Sequence, residues 1–165
     1  MKSQTVITKR LLTLWRSIID MIAPRACEMC GTRLAINERL VCTTCNALLP
    51  RTDDASSPYD NHTARRLWGL VPVERCASFV KFHPHTPFAN LIYRLKYGGR
   101  DDIGEEIGRM MAADYLQSGF FDGIDAIVPM PLHKRRRRER GYNQCYEVAR
   151  GISELTHIPV REDIV

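Results

Sequence analysis

Ile127-Val128-Pro129-Met130-Pro131-Leu132-His133-Lys134-Arg135-Arg136-Arg137-Arg138-Glu139-Arg140-Gly141-Tyr142-Asn143-Gln144 is the stretch on which the reading of this chain turns. The apolar run Ile124 to Met130 has the length of a buried strand, and Pro129 and Pro131 close it in a rigid turn. A dense cationic loop over Lys134–Arg140 follows, and the apolar spacing over Asn143–Leu155 then predicts an amphipathic helix. Ligands of parallel α/β sheets bind beyond the carboxyl ends of strands, and a helix N-terminus offers free N–H groups to an anion. Arginine suits phosphate because its planar fork donates paired hydrogen bonds. The alternative for Arg135, Arg136, Arg137 and Arg138 is a solvated cationic loop. Their placement between a strand and a helix favours an anion site.

Upstream of this stretch the pattern keeps alternating. Residues 75–82 suit a strand, His83 to Pro87 a turn, and Phe88 to Tyr97 a short helix stopped by Gly98-Gly99. Asp101 to Ser118 predicts a longer helix, acidic in its first turn, with Ile103, Ile107, Met110, Met111 and Tyr115 on one face. Ile158-Pro159-Val160 begins a further element. Strands alternating with helices imply βαβ units, so the fold class expected over 73–165 is α/β with a parallel sheet. Before it, residues 51–72 are polar and turn-rich and read as a linker, with a short turn at Arg66 to Gly69.

Residues 25–50 form a cysteine module. Cys27-x2-Cys30 and Cys42-x2-Cys45 supply four thiolates as two knuckles, each able to grip adjacent corners of a zinc tetrahedron. Four protein ligands leave no open position, so the expected zinc is structural. Gly31 gives the chain freedom to turn after the first pair. A redox dithiol is the alternative for either pair alone, but neither pair sits between a strand and a helix. Cys76 and Cys145 read as small buried hydrophobes, and His83-x-His85, flanked by prolines, reads as a surface pair.

The net charge of +5 comes largely from the Lys134–Arg140 run, which implies a local anion site more than a generally cationic protein. No apolar run approaches the roughly 18 residues of a membrane span. Within residues 1–24, the segment 8–22 carries Leu11, Leu12, Trp15, Ile18, Ile19 and Ile22 at helical spacing. Arg16 and Asp20 interrupt it as a signal peptide, so it reads as a retained amphipathic helix that packs on its own domain or a partner, with membrane-surface binding as the alternative. Paired cysteines without a secretion signal point to a reducing, cytoplasmic compartment.

Leu95-Lys96-Tyr97-Gly98, then Val128-Pro-Met-Pro-Leu132, then Arg140-Gly-Tyr-Asn-Gln144, behind a four-cysteine module, together resemble the ComF family: phosphoribosyltransferase-like proteins associated with DNA uptake in bacterial competence. The resemblance covers most of the chain from about residue 18 onward. It implies a zinc-ribbon-like module followed by the first part of a type I phosphoribosyltransferase-like domain. It implies pyrophosphate binding near Pro129, Met130 and Pro131. Arg140, Gly141, Asn143 and Gln144 match a family motif expected to face the ligand cleft. Phosphoribosyl pyrophosphate, or a pyrophosphate-like anion bound weakly, is the implied ligand, and magnesium is a cofactor the resemblance admits in a full-length relative. The family's later acidic strand end and Thr-Thr-Gly-rich loop, which hold the ribose and its 5-phosphate, have no counterpart here: Asp53-Asp54 and Asp101-Asp102 lack such a loop. The expectation is an N-terminal portion of a longer protein, without transfer activity of its own.

Two other functions compete. A nucleic-acid-associated module would contact single-stranded DNA through the zinc knuckles and the basic run, although few aromatic residues are interleaved with that run in sequence. A partner-docking module would present its N-terminal helix and zinc knuckles to competence proteins.

Overall fold

Two glycines on one helix and one on another let two helices of this protein pack backbone to backbone. The computed structural model describes residues 24–164, and its chain divides into two units, Met1–Leu48 and Leu49–Val165. The helix predicted over 8–22 lies outside the described residues. In the first unit, the second cysteine knuckle is built into α1 (Thr43–Ala47), with Cys42 as its N-cap and Cys45 within it, and a single antiparallel bridge joins Ala26 to Arg33. Leu34 and Val41 are buried beside Cys27 and Cys42. Glu38 braces this unit by accepting from the Ala35 and Thr43 amides at 2.7 Å each.

In the second unit the helices are α2 (His62–Leu67), α3 (Pro87–Tyr97), α4 (Asp102–Leu116), α5 (Lys134–Arg140) and α6 (Gln144–Thr156). Thr86 caps α3 by accepting from the Ala89 amide, Pro87 occupies the first turn, and Gly98 ends the helix. Asp101 caps α4. Ile103, Ile107, Met110 and Tyr115 are buried as the periodicity predicts, while Met111 is half-buried. The face of α4 also carries Gly104 and Gly108. A methyl group on Gly108 would meet the Val148 carbonyl oxygen at 2.1 Å, and one on Gly151 would meet the Glu105 carbonyl oxygen at 2.0 Å. α4 and α6 therefore approach backbone to backbone, which only glycine permits. Ion pairs flank this seam: Arg109 reaches Glu106 at 2.7 Å and Glu154 at 2.6 Å, and Arg150 reaches Glu147 at 2.8 Å.

The predicted parallel sheet is corrected. Among the described residues there is no strand, only isolated bridges. Ile127 forms one parallel rung with Val160, donating to the Pro159 carbonyl and accepting from the Arg161 amide, both at 2.9 Å. The next rung would need the N–H of residue 129, which is proline, so the ladder stops. The predicted strand over 75–82 makes one antiparallel bridge, Arg51 to Val80, with Lys81 donating to Pro50 at 2.8 Å. Pro50 has no N–H to return.

The connector 51–72 is folded in the second unit. It contains a 3-10 turn (Asp54–Ser56) and α2, whose cap Asn61 accepts from Ala64 and donates to Asp54, Ser57 and Cys76 carbonyls at 2.6–3.2 Å. Buried Asp54 accepts from Thr63 Oγ1 at 2.6 Å and from the Ser78 amide at 2.9 Å, tying the same segment to residues 76–78. The cationic run is likewise a helix, α5, rather than a loop. Arginine is a good helix former, and Arg135 pairs with Glu139 one turn on at 3.0 Å.

Candidate metal centre and candidate anion cleft

Cys27, Cys30, Cys42 and Cys45 present sulfurs that all lie within 4.8 Å of one another, and theirs is the only such convergent group of three or more among the described residues. A tetrahedron with metal–sulfur bonds near ~2.3 Å has edges of about 3.8 Å. The Cys30 and Cys42 sulfurs are 3.7 Å apart, so the set fits a metal ion with little movement. The surroundings treat the four sulfurs unequally. The Cys42 amide donates to Cys27 Sγ at 3.3 Å and the Cys45 amide to Cys42 Sγ at 3.4 Å. Cys30 sits 3.3 Å from Thr32 Oγ1, and that hydroxyl, together with the Thr32 amide, brings the Cys30 thiol down to about 6. Burial, reinforced by the neighbouring sulfurs, pushes the Cys45 thiol up. Four sulfurs that cannot all be comfortable as neighbouring thiolates are what a bound cation resolves. Gly31, at φ +76°, makes the turn between the knuckles and donates to Cys27 O at 2.8 Å. The His83–His85 pair joins no such group.

In the second unit, the end of α3 and one face of α5 border a cleft of about 430 Å³ lined by Lys96, Tyr97, Gly99, Arg136, Glu139 and Arg140. Local bonds hold the two elements together. The Tyr142 hydroxyl donates to the Leu95 carbonyl, and the Arg140 guanidinium lies 5.4 Å from the centre of the Tyr97 ring. Gly141, at φ +82°, ends α5 and lets the chain turn into α6. Asn143 caps α6 by accepting from the Cys145 amide at 3.1 Å, and its Nδ2 donates to Met130 O at 3.1 Å, which fixes the Pro129–Pro131 turn against the start of α6. Gln144 Oε1 is buried and receives no hydrogen bond from the protein.

The predicted anion residues are thus divided. Arg136 and Arg140 line the cleft, and Arg135 and Arg136 border a shallower space with His133 and Glu139. Arg137 and Arg138 are exposed on α5, while Pro129, Met130, Pro131, Gly141, Asn143 and Gln144 line neither space. Sequence reasoning did not assign Lys96, Tyr97 and Gly99 to the site. For Lys96 and Tyr97 the signal is the Leu95-Lys96-Tyr97-Gly98 motif, which carries the resemblance but no position, and Gly99 directly follows it. Net charge at the cleft is favourable to an anion: three cations face it against one carboxylate, Glu139, which is itself paired with Arg135.

The chain carries a four-cysteine module ahead of a cationic cleft to which two of the three sequence motifs contribute, through Lys96, Tyr97 and Arg140, and similarity to known proteins supports a ComF-family relationship. The chain is 27% identical over 148 residues to the DNA utilization protein YhgH of Escherichia coli (strain K12), covering 83% of this chain and 64% of the relative. It is 26% identical over 134 residues to the protein of the same name from Salmonella typhimurium, covering 75% and 58%. To Competence protein F of Haemophilus influenzae it is 25% identical over 153 residues, covering 84% and 64%. The matches span less than two thirds of these relatives' own length. No family model and no solved structure matches the chain.

Proposed function

We propose that this chain acts in DNA utilisation of the competence type and that its chemical part is to bind a phosphate-ester anion in the cleft between α3 and α5. The observation that carries this reading is the convergence of Lys96, Arg136 and Arg140 on one space beside Gly99, with Glu139 the single acid among them. Arginine forks and a lysine point charge are the usual receptors for phosphate oxygens. The ligand class is phosphoribosyl pyrophosphate or another pyrophosphate-bearing molecule. Pro129, Met130 and Pro131, held by Asn143, form a turn packed against the start of α6.

The four cysteines hold zinc in a structural role, since the knuckles supply all four ligands. None of the six cysteines is joined in a disulfide, which suits a reducing cytoplasm. Among the described residues no helix is long and apolar enough to cross a membrane. Groups that would fix a ribose and its phosphate are not assigned in this chain, so binding without transfer is its expected activity, and competence proteins are its expected protein partners.

The test is calorimetric titration of the zinc-replete protein with pyrophosphate and with phosphoribosyl pyrophosphate. Binding that falls at least ten-fold in Arg136→Ala and Arg140→Ala, and keeps its strength in Arg138→Ala, supports the reading. Equal binding by all three variants, or none by the parent, refutes it.

A further inference from the structure

The cationic cleft continues into a row of exposed aromatic rings that sequence reasoning did not connect to it. Phe82 and Tyr93 meet edge to face with ring centres 6.4 Å apart, and Tyr97 follows Tyr93 by four residues on the same face of α3. Tyr97 in turn packs under Arg140 at the cleft. All three rings are open to solvent: Phe82 is 52%, Tyr93 47% and Tyr97 74% exposed. Large aromatic side chains normally surrender that surface to a core or a partner. The row has no acidic residue along its helix. Arg94 and Lys96 are the only charged residues of α3, and exposed Lys81 precedes Phe82.

We infer that Phe82, Tyr93 and Tyr97 form a stacking track for the bases of a single-stranded nucleic acid whose backbone phosphates run into the Lys96–Arg136–Arg140 cleft. The inference rests on the phosphate reading of that cleft. Aromatic faces one helical turn apart accept successive unpaired bases regardless of sequence, and neighbouring cations hold the phosphates between them. A duplex cannot use the track, because its bases are already stacked and their faces hidden. Such a track therefore selects strandedness, which phosphate contacts alone cannot do. The apparent lack of aromatics among the basic residues is a property of the linear sequence only: Tyr97 and Arg140 are 43 positions apart in the chain and in contact in the fold.

The experiment uses the full zinc-replete chain and fluorescence anisotropy with a labelled 12-nucleotide oligo-dT, a duplex of equal length, and pyrophosphate titrated separately. The parent should bind the single strand more tightly than the duplex. Phe82→Leu combined with Tyr93→Leu, which keeps apolar bulk and removes both rings, should weaken oligo-dT binding about ten-fold or more, leave the slope of affinity against salt unchanged and leave pyrophosphate binding unchanged. Tyr93→Phe, which keeps the ring, should retain parental oligo-dT affinity. Parental affinity in the Phe82→Leu/Tyr93→Leu protein, or equal affinity for single strand and duplex, overturns the track while the phosphate reading stands. Pyrophosphate binding with no oligo-dT binding does the same. Binding of neither ligand overturns the track and the phosphate reading together.

Discussion

Replacing Gly108 by alanine probes the seam on which the second unit is built. An alanine Cβ there would sit 2.1 Å from the Val148 carbonyl oxygen and 3.0 Å from both Gly151 Cα and Ile152 N, all backbone atoms. Ordinary carbon–oxygen contact lies beyond 3 Å, so α4 and α6 must separate by about 1 Å along their contact. Overpacking of this kind costs ~1–3 kcal/mol, and the upper end applies because no flexible side chain can swing away. Alanine recovers ~1 kcal/mol of helix propensity. The net is a loss of about 2 kcal/mol, which for a unit of this size lowers the melting temperature by roughly 8 °C. Gly151→Ala, facing Glu105 O at 2.0 Å, should match it. Gly104→Ala should be milder, because its nearest obstacle, the Glu147 Cβ, lies at 2.6 Å and the overlap is smaller. Thermal unfolding followed by circular dichroism at 222 nm ranks the three. An unchanged or raised melting temperature in Gly108→Ala would refute the close approach of the two helices.

Metal analysis of protein purified under reducing conditions should return one zinc per chain, and Cys42→Ser with Cys45→Ser should abolish it and melt the fold of residues 25–48. Glu147 is buried, and burial raises its carboxyl pKa above the ordinary value although Arg150 pulls it back down. A raised folded-state pKa means that the folded form holds the proton more tightly, so the stability it contributes is present at low pH and lost as pH rises through the folded value. Glu147→Gln should therefore melt higher than the parent at pH 7, with the difference gone below roughly pH 4, where the carboxyl is protonated in both states. A gain that persists at low pH would contradict this. Incubation with phosphoribosyl pyrophosphate and nucleobase acceptors should release pyrophosphate no faster than the no-protein control, since orientation of the ribose accounts for roughly 7–11 kcal/mol of such a barrier. Turnover that vanishes in Arg140→Ala would show the ribose to be held after all.

The elements legible in the sequence are those with local punctuation. Thr86-Pro87, Asp101 and Asn143 are caps, and Gly98 is a stop, so α3, α4 and α6 lie within one or two residues of their predicted bounds. The four-cysteine spacing likewise carries its own geometry. What failed is non-local. Apolar runs at 75–82 and 124–130 look like strands, but a ladder needs a donor at each rung, and Pro50 and Pro129 remove them at the places where pairing would extend. α2 was hidden in a polar stretch because its start depends on Asn61 reaching carbonyls at Asp54 and Cys76. Charge alone suggests a loop for the basic run, whereas arginine's helix propensity, the Glu139 pair and the left-handed Gly141 make it a helix. The cleft needs Lys96 and Tyr97 beside Arg136 and Arg140, a meeting of two distant segments that no spacing rule announces.

Backbone amide spectra of the 15N-labelled, zinc-replete protein titrated with pyrophosphate test the location of the anion site most directly. The account predicts saturable shifts concentrated at Lys96, Tyr97, Gly99, Arg136, Glu139 and Arg140, with smaller changes through Tyr142 and Asn143, which tie the cleft to α3 and to the proline turn. Shifts confined to the cavity of about 570 Å³ around Arg51, Thr52 and Gln117, or spread evenly over every surface arginine without saturation, would contradict it.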